Sequence, residues 1–156
     1  MIQLVRTDSG NRDFQSLVRL LDHELQIRDG ADHSFYAQFN KIDQIQHVIV
    51  AYIENKAVGC GAFKPFADHT VEIKRMFVDP EFRGQRIAQH ILAALEVWAT
   101  ETGSSSCVLE TGYKQPEAIQ LYQRCGYERI PNYGQYIGVD NSLCMQKQLA
   151  TLPLTP

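Results

Sequence analysis

The chain has 156 residues, enough for one domain whose core needs neither a metal nor a disulfide staple. Hydrophobic residues make up 44% and the net charge is −3, which sets aside intrinsic disorder and a nucleic-acid partner gripped by bulk positive charge. No apolar run approaches the ~20 residues of a membrane span, and Met1-Ile2-Gln3-Leu4-Val5-Arg6 is not a signal peptide, so a cytoplasmic protein with no membrane partner is expected.

Ile2 to Val5 reads as a short first strand. Asn11 to Arg28 reads as a helix, because Phe14, Leu17, Val18, Leu21 and Leu25 recur at steps of three and four. Asp29-Gly30 stops it, and Ala31 to Asn40 reads as a shorter helix with Phe35, Tyr36 and Phe39. His47 to Ile53 and Ala57 to Phe66 form a hairpin about Asn55-Lys56. A turn at Ala67-Asp68-His69 leads into a third antiparallel strand, Val71 to Val78. Beyond it come a helix from about Gly84 to Thr100, a strand Ser106 to Thr111, a helix from Pro116, a strand Tyr127 to Ile130, a glycine- and tyrosine-rich loop, and a last strand Leu143 to Leu149. Residues 151–156 form a tail. This order describes an α/β fold with a mixed sheet and helices on its faces. The crossover from the Val71 strand to the Ser106 strand should be parallel and right-handed.

Cys60, Cys107, Cys125 and Cys144 are far apart with no C-x-x-C pair, so they read as reduced, mostly buried thiols. The histidines lack ligand spacing, and no metal is expected.

The stretch Val78-Asp79-Pro80-Glu81-Phe82-Arg83-Gly84-Gln85-Arg86-Ile87-Ala88 carries the most chemistry. Asp79-Pro80 ends a strand, since the residue before proline stays extended and proline brings no amide donor. The helix that follows has Ile87, Ile91, Leu92, Leu95 and Trp98 as its apolar stripe. Its first amides lack intrahelical acceptors and its dipole favours negative charge. Arg83 and Arg86 add positive charge, and Gly84 allows close backbone approach. A pyrophosphate suits such a helix start.

Arg83-Gly84-Gln85-Arg86-Ile87-Ala88 resembles the pyrophosphate-binding motif of the GCN5-related N-acetyltransferases: Arg or Gln, two variable residues, Gly, one variable residue, then Gly or Ala. Downstream, Pro116-Glu117-Ala118-Ile119-Gln120-Leu121-Tyr122-Gln123-Arg124-Cys125-Gly126-Tyr127 is similar to the family's second signature, a helix with Ala and Leu-Tyr that ends at Gly-Phe or Gly-Tyr. The resemblance implies a single acetyltransferase domain over 1–150. Its sheet would be mostly antiparallel, with one parallel pair that splays to admit the pantetheine arm of acetyl-CoA.

The resemblance also implies roles. The amides and side chains of Arg83, Gly84, Gln85, Arg86, Ile87 and Ala88 would hold the pyrophosphate of acetyl-CoA. The backbone of Met76, Phe77 and Val78 would pair with the pantetheine amides as an added strand does. One of those amides would polarise the thioester carbonyl. Tyr122 would act as general acid toward the departing thiolate. Glu72 resembles the glutamate that serves as base in the histone-acetylating branch, with ordered water as the alternative. Strict alternation would place Glu72, Lys74, Met76 and Val78 on one face and Arg75 on the other. Two residues depart from the family pattern: Arg86 where glycine is usual, and Gln115 where many members carry asparagine to contact the pantetheine arm.

The acceptor is less defined. Asp22, Glu24, Asp29 and Asp32, with His23 and His33, lie in the first helical region, and Tyr133 and Tyr136 in the loop before the last strand. Acidic groups beside aromatics suit a cationic amine, while acidic residues near a helix end also simply face water. The expected acceptor is a primary amine of a small molecule or a peptide. The alternatives are an acyl-CoA-binding module without turnover and a protein that binds another phosphate ligand. The latter lacks both G-x-x-x-x-G-K-[ST] and G-x-G-x-x-G. The last strand and its loop offer a homodimer edge.

Overall fold

Asn11 starts the first helix, α1 (Arg12–Asp29): its backbone is extended and its side-chain oxygen accepts the Phe14 amide at 2.9 Å. Such a cap satisfies one of the orphan donors of a helix start. The computed structural model describes residues 1–30 and 44–150, so the expected helix Ala31 to Asn40 and the tail 151–156 lie outside the described residues. Phe14, Leu17, Val18 and Leu21 are buried at the expected steps and pack with Val48, Val50, Cys60, Ala62 and Phe77. Each of the Phe, Leu and Val side chains contributes about 1.5–3 kcal/mol by leaving water, which makes this cluster the anchor of the N-terminal half.

The strands are β1 (Ile2–Thr7), β2 (His47–Ile53), β3 (Lys56–Ala67), β4 (Thr70–Val78), β5 (Ser106–Gly112), β6 (Glu128–Ile130) and β7 (Ser142–Gln148). They form a mixed seven-stranded sheet in the order β1-β2-β3-β4-β5-β7-β6. β2 and β3 are antiparallel partners, and Glu54 (φ 50°) and Asn55 (φ 68°) make the turn between them. Two left-handed residues are what a tight hairpin requires, and the turn sits one residue earlier than Asn55-Lys56. β4 and β5 form the parallel pair, from Thr70↔Ser106 to Glu72↔Val108. Two further helices, α2 (Ile87–Glu101) and α3 (Pro116–Arg124), complete the mixed α/β fold.

Three expectations need correction. α2 begins at Ile87 rather than near Gly84, because Gly84 (φ 84°) and Arg86 (φ 63°) are left-handed and cannot belong to a right-handed helix. In β4, Arg75 also takes a left-handed backbone (φ 60°), which interrupts the strict alternation from Val71 to Val78. On α3, helical spacing makes Ala118, Leu121 and Cys125 the expected inward stripe with Tyr122 beside it, yet Tyr122 is the buried residue and those three are only half-buried.

The chain divides into two compact units, Met1–Lys64 with Ile73–Leu95, and Pro65–Glu72 with Glu96–Pro156. The first holds the α1 cluster. On the other face of its strands, a Cβ added at Gly61 would meet Met76, Ile91 and Leu95. The second has Leu109, Tyr127, Tyr136 and Met145 in its core. There Glu96 accepts bonds from the Tyr127 hydroxyl at 2.8 Å and from Lys147 Nζ at 2.9 Å.

Candidate active site

In the first unit the chain leaves β4 through a capped turn. The Asp79 amide donates to the Val58 carbonyl at 2.8 Å, and its carboxylate accepts the Glu81 amide at 3.0 Å. Pro80–Phe82 makes one 3-10 turn, after which Gly84 and Arg86 reverse the backbone into α2. The His90 amide donates to the Arg86 carbonyl at 3.1 Å. The amides of Ile87, Ala88 and Gln89 precede that bond and have no intrahelical acceptor. Arg83, Gly84, Gln85 and Arg86 are exposed, Ala88 is half-buried, and Ile87 is anchored in the core. Among the described residues the motif therefore presents free amides at a helix start, with one apolar residue fixing its direction.

The two arginines differ. Arg83 Nε donates to the Val78 carbonyl at 3.0 Å and Nη2 to Glu24 Oε2 at 2.8 Å, with the guanidinium 5.6 Å from the Phe77 ring centre. Arg86 makes no side-chain bond or ion pair among the described residues. Its positive φ explains why glycine suits this position: only glycine takes it without steric cost.

Within the first unit β4 is the last strand in sheet order, so Met76, Phe77 and Val78 lie along the edge of that unit's strands. The Phe77 side chain belongs to the α1 cluster, and Met76 would be met by a Cβ added at Gly61. Asp22 and Glu24, two of the acidic residues weighed for a cationic acceptor, pair instead with the chain's own arginines. Arg75 Nη1 donates to Asp22 Oδ1 at 2.8 Å, and Glu24 also meets Arg28 at 3.4 Å. His23 is exposed. Asp32 and His33 lie outside the described residues, as does the side chain of Asp29.

The second unit holds both proposed proton-transfer residues. Glu72 is 3% exposed and its Oε2 accepts the Tyr133 hydroxyl at 2.7 Å. Tyr122 is 7% exposed, with its ring edge-on to Tyr127 at 5.9 Å. Its hydroxyl has no hydrogen-bond partner among the described residues. Burial first, then the Glu110 carboxylate, pushes its pKa well above the usual tyrosine value, so the phenol keeps its proton. Gln115 precedes α3 as its N-cap residue without a side-chain capping bond; its backbone amide donates to the Gly112 carbonyl at 3.0 Å. An open cavity of about 470 Å³ lies between Arg129–Asn132 and Gly138–Ser142 and is lined by none of the predicted site residues. Sequence reasoning placed Tyr133 in the acceptor loop but missed its bond to Glu72 and the pairing of Arg83 with Glu24. Neither leaves a local signal, since the partners are 61 and 59 residues apart.

The model of the acetyltransferase (GNAT) family matches residues 14–127. The chain belongs to the GNAT family. It is 37% identical over 102 residues to the IAA acetyltransferase of Azospirillum brasilense, a stretch covering 65% of this chain and 67% of that protein. It spans under half the length of the vertebrate N-acetyltransferases it also matches. Among solved structures, a Klebsiella pneumoniae protein assigned as an acyl-CoA N-acyltransferase aligns with a TM-score of 0.81 and 28% identity, over 96% of this chain and 99% of that one. The N-acetyltransferase PaiA of Thermoplasma acidophilum, solved with coenzyme A, has a TM-score of 0.69 at 17% identity, over 95% of this chain and 99% of that one; it shows the fold alone. The GNAT domain is an acyltransferase, and the family and mixed α/β fold expected from the two motifs are borne out. No group of three or more His, Cys, Asp or Glu that could hold a metal occurs among the described residues. No described helix is long and apolar enough to cross a membrane.

Proposed function

We propose that this GNAT protein moves an acetyl group from acetyl-CoA to a primary amine of a small molecule or a peptide by direct transfer. The observation that carries the reading is the buried Tyr122 with its free hydroxyl. A phenol held protonated beside the sheet is suited to give a proton to a departing thiolate, and general acid catalysis of this kind contributes about 10²–10⁴-fold.

The other parts follow from each unit in turn. The free amides at Ile87 and Ala88, with Gly84, Gln85 and the Arg86 side chain, suit the pyrophosphate. Arg83 joins them when it leaves Glu24. The backbone of Met76, Phe77 and Val78 suits the pantetheine arm, with Gln115 as a further amide contact. Glu72, or ordered water, takes a proton from the amine as its lone pair attacks the thioester carbonyl. The carbon–sulfur bond then breaks, Tyr122 protonates the sulfur, and solvent restores the proton of Tyr122 while Glu72 releases its own.

Calorimetry and thiol release together test this. Tyr122→Phe should bind acetyl-CoA within twofold of the wild type while turnover falls at least a hundredfold; unchanged turnover removes Tyr122 from the mechanism. Binding without thiol release from the wild type, across a broad amine panel, would favour the acyl-CoA-binding module instead.

A further inference from the structure

Two side-chain amides meet a glycine at the end of β5, in the second unit. Gly112, the last residue of the strand, pairs with Ser142 and is buried. The Tyr113 amide donates to the Asn141 carbonyl at 2.9 Å, and the Gln115 amide donates to the Gly112 carbonyl at 3.0 Å. These backbone bonds bring Gln115 and Asn141 to the glycine. A Cβ added at Gly112 would meet Gln115 Nε2 at 3.7 Å, Asn141 Nδ2 at 3.8 Å and the Asn141 carbonyl at 3.7 Å. Both carboxamide nitrogens therefore lie against the space that the missing side chain leaves. Gln115 does not use its side chain to cap α3. Asn141 Nδ2 is buried and has no hydrogen-bond partner among the described residues. A buried donor left unpaired is destabilising, and native structures seldom keep one unless water or a ligand completes it.

We infer that Asn141 is a cofactor-binding residue: its Nδ2 donates to an amide carbonyl of the pantetheine arm of acetyl-CoA, which lies against Gly112 beside the Gln115 carboxamide. The inference rests on the reading of acetyl-CoA as co-substrate, and it adds a second carboxamide to the contact given to Gln115. Neutral amide donors suit a neutral carbonyl, since each can replace the hydrogen bond that the carbonyl gives up in leaving water. Glycine at position 112 lets a slender, backbone-like arm come close. A bound carbonyl would complete the unpaired donor, so a cost present in the free protein is relieved on binding. Gly112 offers a matching probe. A methyl group there makes only ordinary contacts in the free protein, yet it occupies the space assigned to the arm.

The test combines calorimetry with acetyl-CoA, urea unfolding of the ligand-free protein, and a crystal structure of the wild type with coenzyme A. Asn141→Leu should weaken acetyl-CoA about tenfold, as the loss of one buried hydrogen bond does. It should unfold at no lower urea concentration than the wild type, because an unpaired donor has been removed. Gly112→Ala should also fold normally and weaken acetyl-CoA by a similar factor. The crystal structure should show Asn141 Nδ2 about 3 Å from a pantetheine carbonyl oxygen, and it decides the matter alone if a variant fails to fold. A water on Nδ2 with the arm elsewhere overturns the inference, as does unchanged acetyl-CoA affinity in Asn141→Leu. If both variants keep that affinity but raise the KM for glycinamide, an amine with its own carbonyl, the space takes the acceptor and the assignment to the arm is overturned. No binding of acetyl-CoA to the wild type removes the co-substrate reading and this inference with it.

Discussion

Arg83 and Glu24 are joined by a 2.8 Å ion pair, and Glu24 is shared with Arg28 at 3.4 Å. The arginine proposed to meet the pyrophosphate is therefore held by a carboxylate of α1, and on that proposal a bound phosphate would compete with Glu24 for it. Glu24→Gln should tighten acetyl-CoA binding about two- to fivefold, because partly exposed ion pairs contribute about 0.2–1 kcal/mol. Calorimetry decides it. Unchanged affinity would mean that Arg83 stays on α1 and the phosphates rest on Arg86 and the free amides.

Arg86 takes a left-handed backbone that glycine adopts freely, with φ 63°. Arg86→Gly should raise stability by about 0.5–1 kcal/mol while weakening acetyl-CoA, since strain and charge leave together. Gly84→Ala should lose about 1 kcal/mol despite open space around it, because its φ of 84° is the obstacle. Denaturant midpoints and calorimetry on the same samples separate the two effects.

Gly61 sets how closely β3 approaches α2 in the first unit. A Cβ there would lie 2.5 Å from Met76 Sδ and 2.9 Å from both Ile91 and Leu95. Gly61→Ala should cost about 1–3 kcal/mol through overpacking. By displacing Met76 it should also weaken acetyl-CoA binding. Thermal melts with and without acetyl-CoA would show both losses.

Burial pushes the thiols of Cys60 and Cys107 up to about 12 from the usual 9.0. Between those values the unfolded chain has lost protons that the folded chain keeps. Stability is therefore fully present below pH 9 and falls as pH rises, by about 1.4 kcal/mol per pH unit for each thiol. Cys60→Ala should flatten that slope, which urea melts at several alkaline pH values would read. Iodoacetamide on the native protein should modify Cys125 first, as the one cysteine of the four not fully buried.

Local pattern was enough for much of the molecule. The spacing of Phe14, Leu17, Val18 and Leu21 specified the buried face of α1, and Asn11 its start, because caps and 3.6-residue periodicity depend on neighbours within a few positions. β2 ran over His47–Ile53 as expected, and the ordered pair of motifs identified the family. Residue type misled where the backbone was unusual: Arg75 and Arg86 carry side chains that favour right-handed or extended backbone, yet both are left-handed. The start of α2 and the faces of β4 shifted accordingly.

By itself, then, the sequence determined the family and the order of the described helices and strands, since these reside in short-range periodicity and motif spacing. Only the tertiary structure decided that Tyr122 is buried with a free hydroxyl, that Arg83 is held by Glu24, and that Tyr133 donates to Glu72. Ion pairs and hydrogen bonds form where the folded backbone brings groups within about 3 Å. Across 59 and 61 residues of chain, that meeting is set by core packing and strand register, which no local pattern of residues records.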